Sequence, residues 1–200
     1  MITETATRTP PPTDTVVPLS PDDPRADVLG AIRARFQEST DGVIEAIATQ
    51  HGLAPRDVAG CLPTHTGARV DGAHFQAVMD DVADWGEVMV IVHTADLILE
   101  CRGSLPVGRE GHGYFNLHGP GPIGGHIHRD RCGAIQFVSR PFMGSDSHAI
   151  VLFNRDGDVM FKIFVGRDET RALRADQVAR FVALRDRLAM EGKTGHDNDA

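Results

Sequence analysis

The chain has 200 residues, a formal charge of −8 and a hydrophobic fraction of 41%. This length and apolar content fit one folded domain and exclude a wholly disordered chain. No apolar run reaches the roughly 18 residues of a transmembrane helix, so we predict no integral membrane segment. The net acidity argues against nucleic-acid binding. Three widely spaced cysteines indicate free thiols, as in a cytoplasmic protein, and not a disulfide framework.

The N-terminal residues differ in composition from the rest of the chain. Residues 1–24 contain six Thr and six Pro. Such a stretch cannot bury enough apolar surface to offset the entropy lost on ordering, so we predict a disordered tail over 1–24. We predict a second, frayed tail over 191–200. A single domain is expected between them, over 25–190.

Helical spacing of apolar residues dominates from residue 25 to residue 86. The first predicted helix places Leu29, Ile32 and Phe36 on one face. A second helix is expected to end at Gly52, a third to begin near Pro55, and a fourth to follow Asp71 as its N-cap. The whole segment 25–86 is therefore predicted to be helical.

After Gly86 the pattern changes to short β-rich runs. We predict strands at 87–93, 96–101, 123–129, 132–140, 148–153 and 158–165, and then a C-terminal helix over 175–190. The turn at Arg155–Gly157 indicates a tight hairpin between the last two strands. Strands do not alternate with helices, which disfavours a parallel sheet. The order predicts an α+β fold with N-terminal helices, a large antiparallel β-sheet platform over 87–165 and a C-terminal helix.

Arginine and histidine residues are concentrated between residues 101 and 140. This segment has five arginines against one glutamate and one aspartate, a formal charge of +3, with four histidines and the only tyrosine of the chain. It is also rich in glycine, which lets a backbone approach a ligand closely. Such a segment suits an anionic or metal-bearing ligand, although a loop-rich sheet edge with solvated histidines would have the same composition.

Several residues of this region are candidate ligands. His126 and His128 are expected on one strand face, where they could bind zinc together with Cys132 or His118. Tyr114 could supply a hard phenolate oxygen to ferric iron, or be an ordinary packed aromatic. His93 ends an apolar strand. It could be an edge residue whose hydrogen bonds are satisfied within the protein, or it could face a planar apolar ligand. Residues alone leave these alternatives open.

Three stretches resemble the HutX/ChuX family of haem-utilisation carrier proteins. They are Gly86–His93, Gly108–Gly119 and Arg140–His148, and the hairpin over 153–168 matches the same family. The resemblance extends over roughly residues 43–188.

The resemblance implies an intracellular carrier, not an enzyme, that accepts imported haem b and passes it to a haem-degrading or storage partner. It implies a cytoplasmic homodimer, similar to half of larger two-repeat haem-degrading proteins such as ChuS, and leaves haem degradation as the alternative function. By motif, the expected iron ligand is Tyr114, with His126 or His93 as the alternative and His128 beside His126. We expect Arg109 or Arg129 to pair with a haem propionate and Phe115 to contribute to an apolar platform under the ring.

Overall fold

A computed structural model of the protein describes residues 23–194. Within these residues the helices are α1 (Ala26–Glu38), α2 (Ile44–His51), α3 (Pro55–Ala59), α4 (Phe75–Ala83) and α5 (Ala175–Thr194). The strands are β1 (Gly67–Asp71), β2 (Glu87–His93), β3 (Ile98–Ser104), β4 (Gly108–Gly111), β5 (Tyr114–Leu117), β6 (Gly125–Ile127), β7 (Cys132–Phe142), β8 (Ser145–Asn154) and β9 (Val159–Phe164). The predicted α+β class is confirmed. The disordered tail predicted over 1–24 lies outside the described residues, except for residues 23 and 24.

The strands form two antiparallel sheets. Six strands make the main sheet in the order β1-β7-β8-β9-β2-β3, and three make a small sheet in the order β4-β5-β6. The predicted antiparallel platform is therefore present but divided, because the glycine-rich segment after β3 leaves the main sheet and pairs with itself. The main sheet ends at β3, whose outer edge has no strand partner among the described residues.

Each face of the main sheet is covered by a different layer. One face shares a core with α4, α5 and the inner side of the small sheet, and the other packs against α1, α2 and α3. Along β2, Val88, Val90 and Val92 contact the first of these cores. Since side chains alternate along a strand, Ile91 and His93 lie on the opposite face.

The predicted helix ends at Gly52 and Pro55 are confirmed. Gly52 has a left-handed φ of 64°, and Pro55 is the first residue of α3. Asp71 caps a short 3₁₀ turn that precedes α4, its side chain accepting a hydrogen bond from the amide of Ala73.

Every predicted strand except 87–93 differs from the observed one by one to three residues at one or both ends, and two predicted segments differ in kind. The segment predicted as helical over 25–86 contains strand β1, which pairs with β7. Val70 is the only residue of β1 that is classed as buried, so the sequence of β1 shows no alternating apolar pattern that would reveal a strand. At the other end, α5 continues to Thr194, so residues 191–194 of the predicted frayed tail are helical, and residues 195–200 lie outside the described part.

His148 of β8 is a titratable group packed against α5. Its ring centroid lies 5.2 Å from that of Phe181, and its Nδ1 is 2.8 Å from the hydroxyl of Ser139. Burial lowers the pKa of His148, the charge of Asp146 opposes this shift, and Arg185 adds to it. The fold therefore favours the neutral imidazole.

This shift predicts a stability that decreases in mild acid. The unfolded chain binds a proton at His148 near pH 6.5. The folded chain resists this proton, so the contribution of His148 is complete above about pH 6.5 and is lost as the pH falls toward the lower folded pKa. We expect His148→Gln to flatten the decline in the free energy of unfolding, measured by urea titration between about pH 7.5 and pH 5. His51→Gln, at an exposed residue, is the control and should leave the slope unchanged.

Candidate ligand-binding site

The small sheet begins with a tight hairpin between β4 and β5. Gly111 pairs with Tyr114 across a two-residue turn at His112 and Gly113, both with positive φ, of 53° and 82°. Two successive residues of this kind are typical of a type I′ turn, whose twist matches that of the strands it joins. Tyr114 is thereby fixed at the first position of β5.

The register of the small sheet places the candidate residues on its outer face. Arg109 lies opposite Asn116, which in turn lies opposite His126, so these three side chains form a row across the sheet. Tyr114, two residues before Asn116, shares that face. The intervening Phe115 points inward and is fully buried. We call the side presented by Arg109, Tyr114, Asn116 and His126 the outer face.

Aromatic rings cluster around Tyr114 on the outer face. The Tyr114 centroid lies 4.3 Å from that of His128, with the planes tilted by 36°, and 5.7 Å from that of His126. His118 extends the cluster, its centroid 5.8 Å from that of His126. One phenol and two imidazoles that sequence reasoning singled out are therefore neighbours. Among the described residues no group hydrogen-bonds the phenol oxygen of Tyr114.

Asn116 is a member of the outer face that sequence reasoning missed. The two hydrogens of its side-chain nitrogen are shared among the backbone oxygens of Arg109, Gly111 and Tyr114, and its oxygen lies 2.6 Å from Nδ1 of His126. One signal could have identified it. Asn is disfavoured inside strands, and here it stands between two β-forming neighbours.

Arg109 is the cation of this face. Across residues 23–194 it has no carboxylate partner. Arg129, the other arginine expected to pair with a propionate, pairs with Glu110 at 2.9 Å. The guanidinium of Arg109 is thus available for an anionic group, such as a carboxylate, that approaches the outer face.

Phe115 does not lie where the sequence analysis expected it. Its ring is 0% exposed and meets Phe75 edge to face, with the centroids 5.3 Å apart. The same ring packs so closely over Gly108 that a Cβ atom there would lie 2.0 Å from it. Strand alternation explains the difference, because Tyr114 and Phe115 are adjacent and must face opposite ways. Phe115 supports the outer face from below and offers no ligand platform.

His93 lies away from Tyr114. It is on the opposite face of β2 from the core that the small sheet covers, so the main sheet separates the two side chains. Its Nδ1 is 3.5 Å from the carboxylate of Glu45, which also forms an ion pair with Lys162. The structure therefore brings Tyr114, His126 and His128 together but not His93.

The zinc alternative finds no support in the arrangement of these side chains. Within residues 23–194, no three His, Cys, Asp or Glu side chains are grouped so that they could hold a metal ion. Cys132, which with His118 was one of two candidates for the third ligand, is buried in the core, and its thiol donates to the carbonyl of Ala134. Burial raises the pKa of Cys132 to about 12, so it remains a thiol at neutral pH.

Comparisons with known proteins identify the class to which this fold and site belong. A family model described as haem utilisation ChuX/HutX matches residues 68–184, and the chain belongs to this family. The matched segment contains both sheets, from β1 without its first residue to β9, and the first half of α5. Between residues 23 and 194, no helix combines the length and apolar character needed to cross a membrane.

Three known proteins are similar to this chain over 70% or more of its length. The intracellular heme transport protein HutX of Vibrio cholerae serotype O1 is 39% identical over 140 residues, which are 70% of this chain and 72% of HutX. The solved structure of the heme binding protein ChuX is 40% identical, with a TM-score of 0.72 over 78% of this chain and 98% of ChuX. The heme degrading enzyme ChuS of Escherichia coli O157:H7 shares the fold at 15% identity, with a TM-score of 0.64 over 86% of this chain and 52% of ChuS.

Proposed function

We propose that this protein binds haem b as cargo inside the cell and carries it to a haem-degrading or storage partner. The observation that carries the proposal is the juxtaposition of the Tyr114 phenol with His126 and His128 on one exposed face. Arg109, which has no carboxylate partner in the described part of the chain, lies in one row with His126. Relatives named as haem transport and haem binding proteins support it.

The chemistry of the outer face suits a cargo that must be both held and released. A phenolate is a hard anionic ligand that prefers ferric to ferrous iron, so we assign the iron ligand to Tyr114. His126 is the alternative on the same face, and His93 is a more remote one. Arg109 would pair with a propionate. Since the face is open, the haem can leave toward a partner without unfolding of the site.

Haem binding is the first expected result. Ferric haem added to micromolar protein should give a saturable change in the Soret band that levels off at a single equivalent per chain. Arg109→Gln should weaken binding by about 10- to 100-fold, since a charge-assisted hydrogen bond contributes roughly 1.5–3 kcal/mol. Arg131→Gln, which removes an arginine already paired with Asp156, is the control. Absence of any saturable spectral change would contradict the proposal.

Haem degradation is the alternative function, and its support is the fold shared with ChuS. The two functions differ in the fate of the ring once a reductant is present. Incubation of the haem complex with ascorbate and oxygen should leave a carrier's Soret band without tetrapyrrole cleavage products. Their accumulation over repeated turnovers would identify an enzyme.

We propose, in addition, that two copies form a homodimer through the free edge of β3. The apolar side chains of Ile98 and Leu99 on this strand are 61% and 59% exposed. Antiparallel pairing of β3 with a second β3, centred on Cys101, places Glu100 opposite the partner subunit's Arg102. The two pairs that flank the central Cys101 then each join opposite charges, which favours this register.

Cysteine chemistry can test this interface, because the three thiols differ in accessibility. Cys101 is partly exposed, whereas Cys61 and Cys132 are buried and burial raises the pKa of both. Mild oxidation should therefore give a covalent dimer that Cys101→Ser abolishes. Glu100→Arg should shift the protein toward monomer in sedimentation, and adding Arg102→Glu should restore the dimer. A monomer at tens of micromolar, or a dimer indifferent to these changes, would contradict the proposal.

A further inference from the structure

The hydrogen bonds of Asn116 determine which way its side-chain amide points. Its Nδ2 lies 3.1, 3.0 and 3.0 Å from the backbone oxygens of Arg109, Gly111 and Tyr114. If the amide were turned over, its oxygen would face three carbonyl oxygens, none of which carries a hydrogen. The amide oxygen must therefore point away from the β4–β5 hairpin and toward His126.

This orientation determines the tautomer of His126. The amide oxygen of Asn116 lies 2.6 Å from Nδ1 of His126, and an amide oxygen can only accept a hydrogen bond. Nδ1 must then carry the hydrogen and donate it. In a neutral imidazole the other nitrogen has no hydrogen, so Nε2 presents a lone pair. Hydrogen bonds of this kind are how proteins orient a histidine that serves a metal.

The same amide also orders the backbone beside Tyr114. Two of its acceptors, Gly111 and Tyr114, flank the two-residue turn, and the third, Arg109, lies on β4. The Asn116 side chain thus holds two things in place. One is the β4–β5 hairpin that carries Tyr114, and the other is the imidazole of His126. Removal of the amide would loosen both at once.

We propose that Asn116 is a positioning residue for the haem site, which holds His126 as the Nδ1–H tautomer with Nε2 available to the ligand. The proposal rests on the proposed function for the identity of the ligand. The tautomer is a property of the ligand-free chain, so the two can fail separately.

Nuclear magnetic resonance of the ligand-free protein tests the tautomer directly. With ¹⁵N-labelled histidine at about pH 8.5, where imidazoles are ordinarily neutral, long-range ¹H–¹⁵N correlations distinguish a protonated nitrogen from an unprotonated one. The His126 signals are assigned by their loss in His126→Gln. We expect a protonated Nδ1 and an unprotonated Nε2. The opposite pattern in the unaltered protein overturns the inference, and this measurement needs no Asn116 variant to fold.

Two variants separate the roles of the amide. Asn116→Leu has nearly the same shape but neither donor nor acceptor, and His126 should then show the mixed tautomers of free histidine. Asn116→Asp retains an acceptor for Nδ1, so the Nδ1–H form should persist, but its second oxygen faces the three backbone oxygens and should destabilise the β4–β5 hairpin. His148, whose Nδ1 bonds to Ser139 far from this face, should be unchanged in both and serves as the internal reference. An unchanged His126 signal in Asn116→Leu contradicts the proposal.

Haem dissociation supplies the functional measurement. Asn116→Leu should speed the loss of ferric haem by about 10- to 100-fold, the usual effect of removing a group that orients a metal ligand. Asn116→Asp should have a smaller effect. If haem binds but dissociation from Asn116→Leu is unchanged, Asn116 does not position the site. If the Nδ1–H tautomer is found and no haem binds, the proposed function fails while the tautomer assignment stands.

Discussion

Tyr114→Phe is expected to speed the loss of ferric haem by at least about 100-fold, more than the usual effect of altering a group that only orients a metal ligand. The change removes one oxygen and retains the ring, which can still pack against His128. Because that oxygen has no hydrogen-bond partner among residues 23–194, its loss leaves no buried group unsatisfied, and the free energy of unfolding should change little. Transfer of haem to a scavenging apoprotein measures the rate, and urea titration measures the stability.

Matched variants decide between Tyr114 and the histidines. His126→Ala and His93→Ala should alter the ferric spectrum less than Tyr114→Phe does. Reduction to ferrous iron should weaken binding in the unaltered protein and have less effect in Tyr114→Phe, since the hard oxygen donor is already missing. If Tyr114→Phe keeps the original spectrum and dissociation rate while either histidine variant abolishes binding, the ligand is an imidazole.

Phe115→Ala is expected to destabilise the protein by about 3–5 kcal/mol, the cost of a large cavity in a packed core. The ring is completely buried, meets Phe75 edge to face and covers the backbone at Gly108. Truncation would remove the apolar contact that holds the small sheet against the rest of the core. The midpoint of urea unfolding should fall accordingly, with loss of haem binding as a secondary effect of the loosened small sheet.

A conservative substitution shows whether Phe115 acts only by packing. Phe115→Leu should be destabilising by a smaller amount and, under conditions where the variant is fully folded, should bind ferric haem with an unchanged spectrum. A direct role of this ring at the ligand would be shown by an altered spectrum in the folded Phe115→Leu protein.

Most of the fold follows from local patterns in the sequence. The apolar run from Glu87 to His93 defines β2 to the residue, and Arg155–Gly157 forms the expected tight connection between β8 and β9. Strand β1 was missed because its pairing with β7 is a long-range choice that no local periodicity records. The separate small sheet was missed for a related reason. Its strands are short, and the density of glycine in 101–140 resembles a loop.

In the candidate site, too, some features could be predicted from neighbouring residues, whereas others depend on how distant strands pair. Strand alternation predicted a shared face for His126 and His128, and both rings contact Tyr114, although β6 ends at Ile127 and His128 precedes a short 3₁₀ turn. Alternation also requires Tyr114 and Phe115 to face apart, a rule that the expectation of an apolar platform at Phe115 neglected. The separation of His93 from Tyr114 could not be predicted, because it depends on which face of β2 the small sheet covers. Asn116 acquires its role only from the strand register.

The alternation along β5 divides its side chains between the protein core and the ligand-facing surface. Phe115 and Leu117 face inward and are buried, whereas Tyr114 and Asn116 face outward between Arg109 and His126. Substitutions at the outward positions can therefore alter the chemistry offered to a ligand without changing the volume of the core. A library restricted to Arg109, Tyr114 and His126, with Asn116 retained because its amide holds the β4–β5 hairpin, should yield folded proteins at high frequency, with affinities redistributed among metal porphyrins. The outer face of the small sheet can therefore be varied while the core beneath it stays the same.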